Sequence, residues 1–111
     1  MVDPQPLSAV IEINNIPVFP NVENYITKPA FLPGGFYSNK LYNETKVKLD
    51  GWLIEEQVNI IYDPQTSGGL LIAMPENQAI KFVQMLKDEY PLAAAIIGYI
   101  TPEGDYAIKV K

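Results

Sequence analysis

The chain has 111 residues, 48% of them apolar and 19% charged, with a net charge of −5; it contains no Cys, no His and no Arg, so its eight basic residues are all Lys. That size and composition describe one globular domain. The missing residue types exclude disulfides, thiolate nucleophiles, the common zinc sites, a histidine general base and a guanidinium clamp on phosphate.

Residues 1–7 hold Pro4, Pro6 and Asp3 and are expected to form a disordered leader, with a single domain over 8–111. The leader has neither the basic nor the apolar region of a secretory signal, so a cytoplasmic location is expected. From Ser8, the residues Ala9, Ile11 and Ile13 alternate with Val10, Glu12 and Asn14, which predicts a strand closed at Asn14-Asn15. Ile16 to Pro20 reads as extended chain because each Pro biases its predecessor away from the helix. Asn21 is a candidate cap for a short helix over Val22–Thr27. Residues 28–51 read as a long irregular connection with spread aromatics, Phe31, Phe36, Tyr37 and Tyr42, and a short strand at 47–49. Trp52 to Ile61 is ambiguous and favours a helix.

The second half reads more regularly. Asp63-Pro64-Gln65-Thr66-Ser67-Gly68-Gly69 is a turn that feeds Leu70–Met74, an apolar run expected to be a buried strand. Ala79, Phe82, Val83, Leu86 and Tyr90 recur at helical spacing and predict a helix over about 76–89, stopped by Pro91. Ala93–Ile100 is a second expected buried strand, residues 102–105 a turn, and 106–110 a closing strand antiparallel to 93–100. The sum is an α+β fold: a mixed sheet of four or more strands with helices mainly on one face.

The Asp63–Gly69 turn has two readings. Its small residues could gather backbone N–H groups on an anion, with Asp63 on a metal ion and Thr66 or Ser67 on a phosphate oxygen. The commoner alternative is a tight turn in which Gly68 and Gly69 supply positive φ. Neither a Walker nor a dinucleotide glycine pattern is present. The loop aromatics could stack on a base, but such residues more often close a core. Glu55-Glu56 and Asp88-Glu89 are adjacent acids that point apart on a helix, the pattern of a solvated face.

The run Asp63 to Ala73 resembles the signature of the C-terminal domain of selenophosphate synthetase, also called selenide, water dikinase. Ile16-Pro17-Val18, Pro33-Gly34-Gly35 followed by Asn39, and Ile96-Ile97-Gly98 resemble further segments of that family in order and spacing. The resemblance covers about residues 8–101. It implies an α/β domain distantly like a ferredoxin fold, of the superfamily of AIR-synthase-related C-terminal domains. The family's reaction converts ATP, selenide and water to selenophosphate, AMP and phosphate, with Mg²⁺. The resemblance also implies that the reactive Cys or selenocysteine, its Lys and most Mg²⁺-binding aspartates lie in an N-terminal domain.

No family-type Asp-Ile-Thr-Gly-Phe-Gly segment occurs here. The chain is therefore expected to be part of an enzyme, covering the cleft of an absent catalytic domain, inactive alone and without catalytic or metal-binding residues of its own. Asp63, Gln65, Thr66, Ser67, Gly68 and Gly69, with Gly34, Gly35 and Asn39, are its candidate cofactor-contacting residues. ATP and Mg²⁺ belong to the whole enzyme, and none is expected tightly bound to this chain. The expected partners are the N-terminal domain and a second copy of the chain, since strands apolar on both faces need cover on both sides; Val10, Ile13 or the 93–97 run is expected at the self-contact. An acidic, Arg-free surface predicts no nucleic acid and no membrane. The alternative is a stand-alone, non-catalytic binding or regulatory module.

Overall fold

The computed structural model describes residues 7–89, 94–102 and 104–111. In chain order it holds β1 (Leu7–Ile11), a 3-10 turn (Ile13–Asn15), α1 (Glu23–Ile26), a second 3-10 turn (Pro29–Phe31), α2 (Gly34–Asn43), β2 (Val47–Leu49), α3 (Glu55–Ile61), α4 (Glu76–Glu89), β3 (Gly98–Pro102) and β4 (Ile108–Val110). The architecture is α+β, as expected, with one mixed four-stranded sheet in the order β2-β4-β1-β3.

β1 organises that sheet. It pairs antiparallel with β3, Val10 opposite Tyr99, and parallel with β4, Ile11 beside Val110. β2 runs parallel to β4 on the far side. The closing strand is thus not the antiparallel neighbour of the strand before it. β1 takes a hydrogen-bonded partner on each edge, and by lying between β3 and β4 it displaces the local hairpin. Ser8 fixes the crossover between β3 and β4. Its buried hydroxyl donates to the Tyr106 carbonyl at 2.8 Å and accepts from the Gly104 N–H at 2.8 Å. Gly98 is dictated by close approach: a Cβ there would run into the Val10 carbonyl oxygen, with Ile11 Cα only 3.1 Å away.

The core centres on Ile13, Phe36, Tyr62 and Val110, all at most 4% exposed. Asn59, also buried, donates from Nδ2 to the Ile26 carbonyl at 2.7 Å and so ties α3 to the end of α1. α3 begins where Gln57 Oε1 accepts the Ile54 N–H at 3.2 Å, and Glu55 and Glu56 occupy its first turn, where the helix dipole favours carboxylates.

Several expectations are corrected. Residues 28–51 are not an irregular connection but contain the ten-residue α2. Gly34, Gly35, Asn39 and Asn43 are weak helix formers, and the packing of Phe36 overrides that preference. Asn21 is not a cap: it turns the chain with φ of 64°, a left-handed conformation that Asn tolerates, and no side-chain bond caps α1. The first strand takes in Leu7, expected in a leader, and stops at Ile11, so Ile13 and Asn14 form a 3-10 turn and not the end of the strand; residues 1–6 lie outside the described residues. The run 70–74 forms no strand, and Leu70 and Leu71 are 91% and 76% exposed. The late strand starts at Gly98, with 94–97 outside any strand, and the positions of Tyr90, Pro91 and Ala93 lie outside the described residues. α4 spans the predicted 76–89.

Candidate functional site

The two glycine-bearing motifs lie well apart in sequence, and the structure brings them together. α2 starts at Gly34 after the extended Pro33, and the Phe36 N–H closes its first turn on the Pro33 carbonyl at 2.9 Å. Gly35 then faces the signature turn. A Cβ at this position would sit 3.0 Å from Pro64 Cβ, so the absent side chain lets the helix rest on the proline. One turn later Asn39 donates from Nδ2 to the Tyr62 carbonyl at 3.2 Å, just ahead of Asp63. Between them Phe36 is buried, packing edge-on against Tyr37 with centroids 5.1 Å apart and against Tyr62 at 6.4 Å. Burial, and then the charge of Glu44, hold the Tyr62 hydroxyl above its ordinary pKa.

This anchor covers only the start of the signature. Asp63 and residues 65–73 are exposed. The Gln65 N–H turns back to the Asp63 carbonyl at 3.0 Å. Among the described residues no glycine has positive φ, so Gly68 and Gly69 do not serve the left-handed turn anticipated for them. A Cβ on Gly69 would meet open space, and one on Gly68 would meet Gln65 Oε1 at 3.1 Å, the movable end of a side chain. A converging nest of N–H groups needs alternating right- and left-handed residues, and that alternation is not present in the turn.

Of the candidates, Gly35 and Asn39 are thus joined to the Asp63 end, Gly34 opens onto free space, and Gln65, Thr66, Ser67, Gly68 and Gly69 lie on an exposed arm. Among the described residues no three His, Cys, Asp or Glu side chains converge to hold a metal ion. Asp63 as a lone carboxylate does not fit a resident Mg²⁺–triphosphate. Of the loop aromatics, only Phe36 is buried in the core; the exposed Phe31 packs on Tyr25 at 5.8 Å, and the exposed Tyr42 lies under the Lys46 ammonium at 3.9 Å.

A second concave region escaped the sequence reading. A cleft of about 340 Å³ opens at the carboxyl ends of the three mutually parallel strands β1, β2 and β4, lined by Glu12, Asn14, Asn15, Asp50, Trp52 and Lys111. Lys111 pairs with Glu12 at 3.5 Å and donates to the Tyr99 hydroxyl at 3.1 Å, and that hydrogen bond raises the lysine pKa. Lys109 pairs with Asp50 at 3.3 Å. The strand order gathers these residues from three separate stretches of the chain, around 12–15, 50–52 and 111.

Comparison with known proteins identifies the relatives. No protein-family model matches the chain. The selenide, water dikinase of Clostridium botulinum (strain Eklund 17B / Type B) is 35% identical over 97 residues, which is 87% of this chain and 28% of that protein. That of Clostridioides difficile (strain 630) is 34% identical over 104 residues, 94% of this chain and 30% of its own length. That of Haemophilus influenzae (strain 86-028NP) is 36% identical over 107 residues, covering 95% and 29%. The resemblance read from the Asp63–Ala73 motif is borne out. Nearly the whole chain is similar to one portion of these proteins, and it spans under a third of their length, consistent with a C-terminal domain.

Proposed function

We propose that this chain, similar over most of its length to one portion of the selenide, water dikinases, acts as the C-terminal domain of a selenophosphate synthetase. The whole enzyme would use ATP, selenide and water in the cytoplasm, with Mg²⁺ supplying charge neutralisation at the phosphates when bound. The single observation that carries the reading is the similarity across 87–95% of the chain to proteins of that name.

The chain's own residues have a positioning role in this reading. Gly35, Asn39 and the Phe36–Tyr62 contact anchor the base of the signature at Pro64. Beyond that base the arm offers the hydroxyls of Thr66 and Ser67 and the apolar side chains of Leu70, Leu71 and Ile72 to whatever faces it. A polar edge around an apolar centre is the make-up of a protein–protein contact, so the arm would cover the cleft of a catalytic domain and exclude water there. No reacting group is assigned to this chain: it has no Cys and no His, and its signature turn has one carboxylate. Expressed separately, the chain is a self-associating module.

The test is complementation. A Clostridioides difficile selenide, water dikinase cut to remove the region matching this chain is purified and assayed for selenide-dependent AMP release, with and without this chain. Restored turnover in the mixture, and none from this chain alone, is expected. Turnover by this chain alone would defeat the reading. No restoration, with the two parts bound to each other, would favour the non-catalytic binding module.

A further inference from the structure

Asn59 is nearly enclosed and only partly used. It sits on α3 at 4% exposure, and its Nδ2 donates to the Ile26 carbonyl at 2.7 Å. Its Oδ1 accepts from no donor among the described residues. No fully buried side-chain oxygen or nitrogen among them lacks a partner, so Oδ1 keeps a small opening to solvent. Asn59 borders a cleft of about 430 Å³ between the 3-10 turn Pro29–Phe31, α2 and α3, and Oδ1 opens there. Leu32, Phe36, Leu53 and Val58 give the cleft apolar walls. Its size, and its few polar groups among apolar ones, are those of a small-molecule site. Two lining residues are charged and opposite in sign: Lys40 from the last turn of α2 and Glu55 from the first turn of α3. Neither makes an ion pair with the other or with another described residue. Both are exposed while Asn59 is buried, so the charges stand at the mouth and the free acceptor lies deepest.

Together these groups select a ligand. A molecule of one charge meets Lys40 or Glu55 and leaves the other without a partner, whereas a zwitterion meets both. The apolar walls accept a hydrophobic body between the mouth and the floor. A free carbonyl oxygen at the floor can only accept, so the far end of that body must carry an N–H or O–H. We propose that this cleft binds a free aromatic α-amino acid with a hydrogen-bond donor on its ring. Its carboxylate lies at Lys40, its ammonium at Glu55 and its ring donor at Asn59 Oδ1. Tryptophan and tyrosine have that donor and phenylalanine lacks it. A buried acceptor rejects the analogue without the donor, because that analogue displaces water and leaves the acceptor unpaired.

The test is a titration of the ¹⁵N-labelled full chain with L-tryptophan, followed by two-dimensional NMR. The side-chain amide signals of Asn59 are expected to shift and saturate, with a Kd on the order of 1 mM for a ligand of this size in an open cleft. L-phenylalanine should bind about tenfold more weakly. Tryptamine, which lacks the carboxylate, should bind wild type about threefold more weakly than tryptophan. Lys40→Gln should abolish that preference, and Glu55→Gln should preserve it. No saturable shift at Asn59, shifts confined to the strand-end cleft at Trp52 and Lys111, phenylalanine or indole binding as tightly as tryptophan, or an undiminished preference over tryptamine in Lys40→Gln would each overturn the proposal. Both substituted side chains are exposed, and the comparison of ligands on wild type decides by itself if a variant does not fold. Because no outcome depends on selenide or ATP, failure here leaves the complementation test untouched, and the converse also holds.

Discussion

Residues 7–62 with β3 and β4, and the stretch 63–96, are comparably apolar in sequence and differ sharply in packing. The first region contains every buried side chain among the described residues: Ser8, Ile13, Phe36, Asn59, Tyr62 and Val110. Its polar buried groups are satisfied, Ser8 through Tyr106 and Gly104, Asn59 through Ile26. The second region contains no buried described residue, and Leu70, Leu71, Ile72 and Ile80 are all at least half exposed. The difference teaches that apolar content sets a demand for burial without saying which surface meets it. Within one chain the first region meets its own demand. The second keeps an amphipathic helix with a half-buried apolar face and an uncharged arm whose apolar side chains stay exposed.

Mutations should separate the two regions by size of effect. Phe36→Ala removes a ring buried to 3% exposure at the junction of α2 and the signature. It is expected to cost about 3–5 kcal/mol, read as a lower urea midpoint with unchanged slope. An effect under about 1 kcal/mol would mean that α2 does not anchor Pro64. Gly98→Ala places a methyl group against the Val10 carbonyl and should cost about 1–3 kcal/mol by pushing β3 off β1. Chemical denaturation of that variant is the check, and a wild-type midpoint would contradict the close approach.

Tyr62 offers a pH test of the same core. Its folded pKa is raised above the ordinary 10.0, so the folded chain holds that proton where the unfolded chain releases it. The stability this gives is fully present below pH about 10 and is lost as pH rises through the folded value. Wild type should therefore weaken steeply in alkali, and Tyr62→Phe should flatten that loss while keeping most of its neutral-pH stability. Equal alkaline slopes for the two would show that Tyr62 is not shielded.

In the second region the expected effect is close to nothing. Gly69→Ala meets open space at a residue without positive φ, and should shift stability by no more than about 0.5 kcal/mol. A large loss in thermal midpoint would erase the contrast between the two regions.

The sequence by itself determined the α+β class, a first strand near Ala9–Ile11, the helix over 76–89, and the relation to the selenide, water dikinases, and it favoured a helix within the ambiguous run 52–61. Those rest on local signals: alternation at Ala9–Ile11, helical spacing from Ala79 to Leu86, and the contiguous run Asp63 to Ala73. Tertiary structure decided the rest. α2 forms against the preference of its Gly and Asn residues because Phe36 finds a pocket beside Tyr62. β4 joins β1 and not β3 because β1 lies between them in the assembled sheet, an order that no local pattern in 93–110 encodes. The contact of Gly35 with Pro64 and the strand-end cleft at Glu12, Asp50 and Lys111 arise from the same cause. Long-range proximity is fixed by packing, and the residues it joins carry no mark of one another in the local sequence.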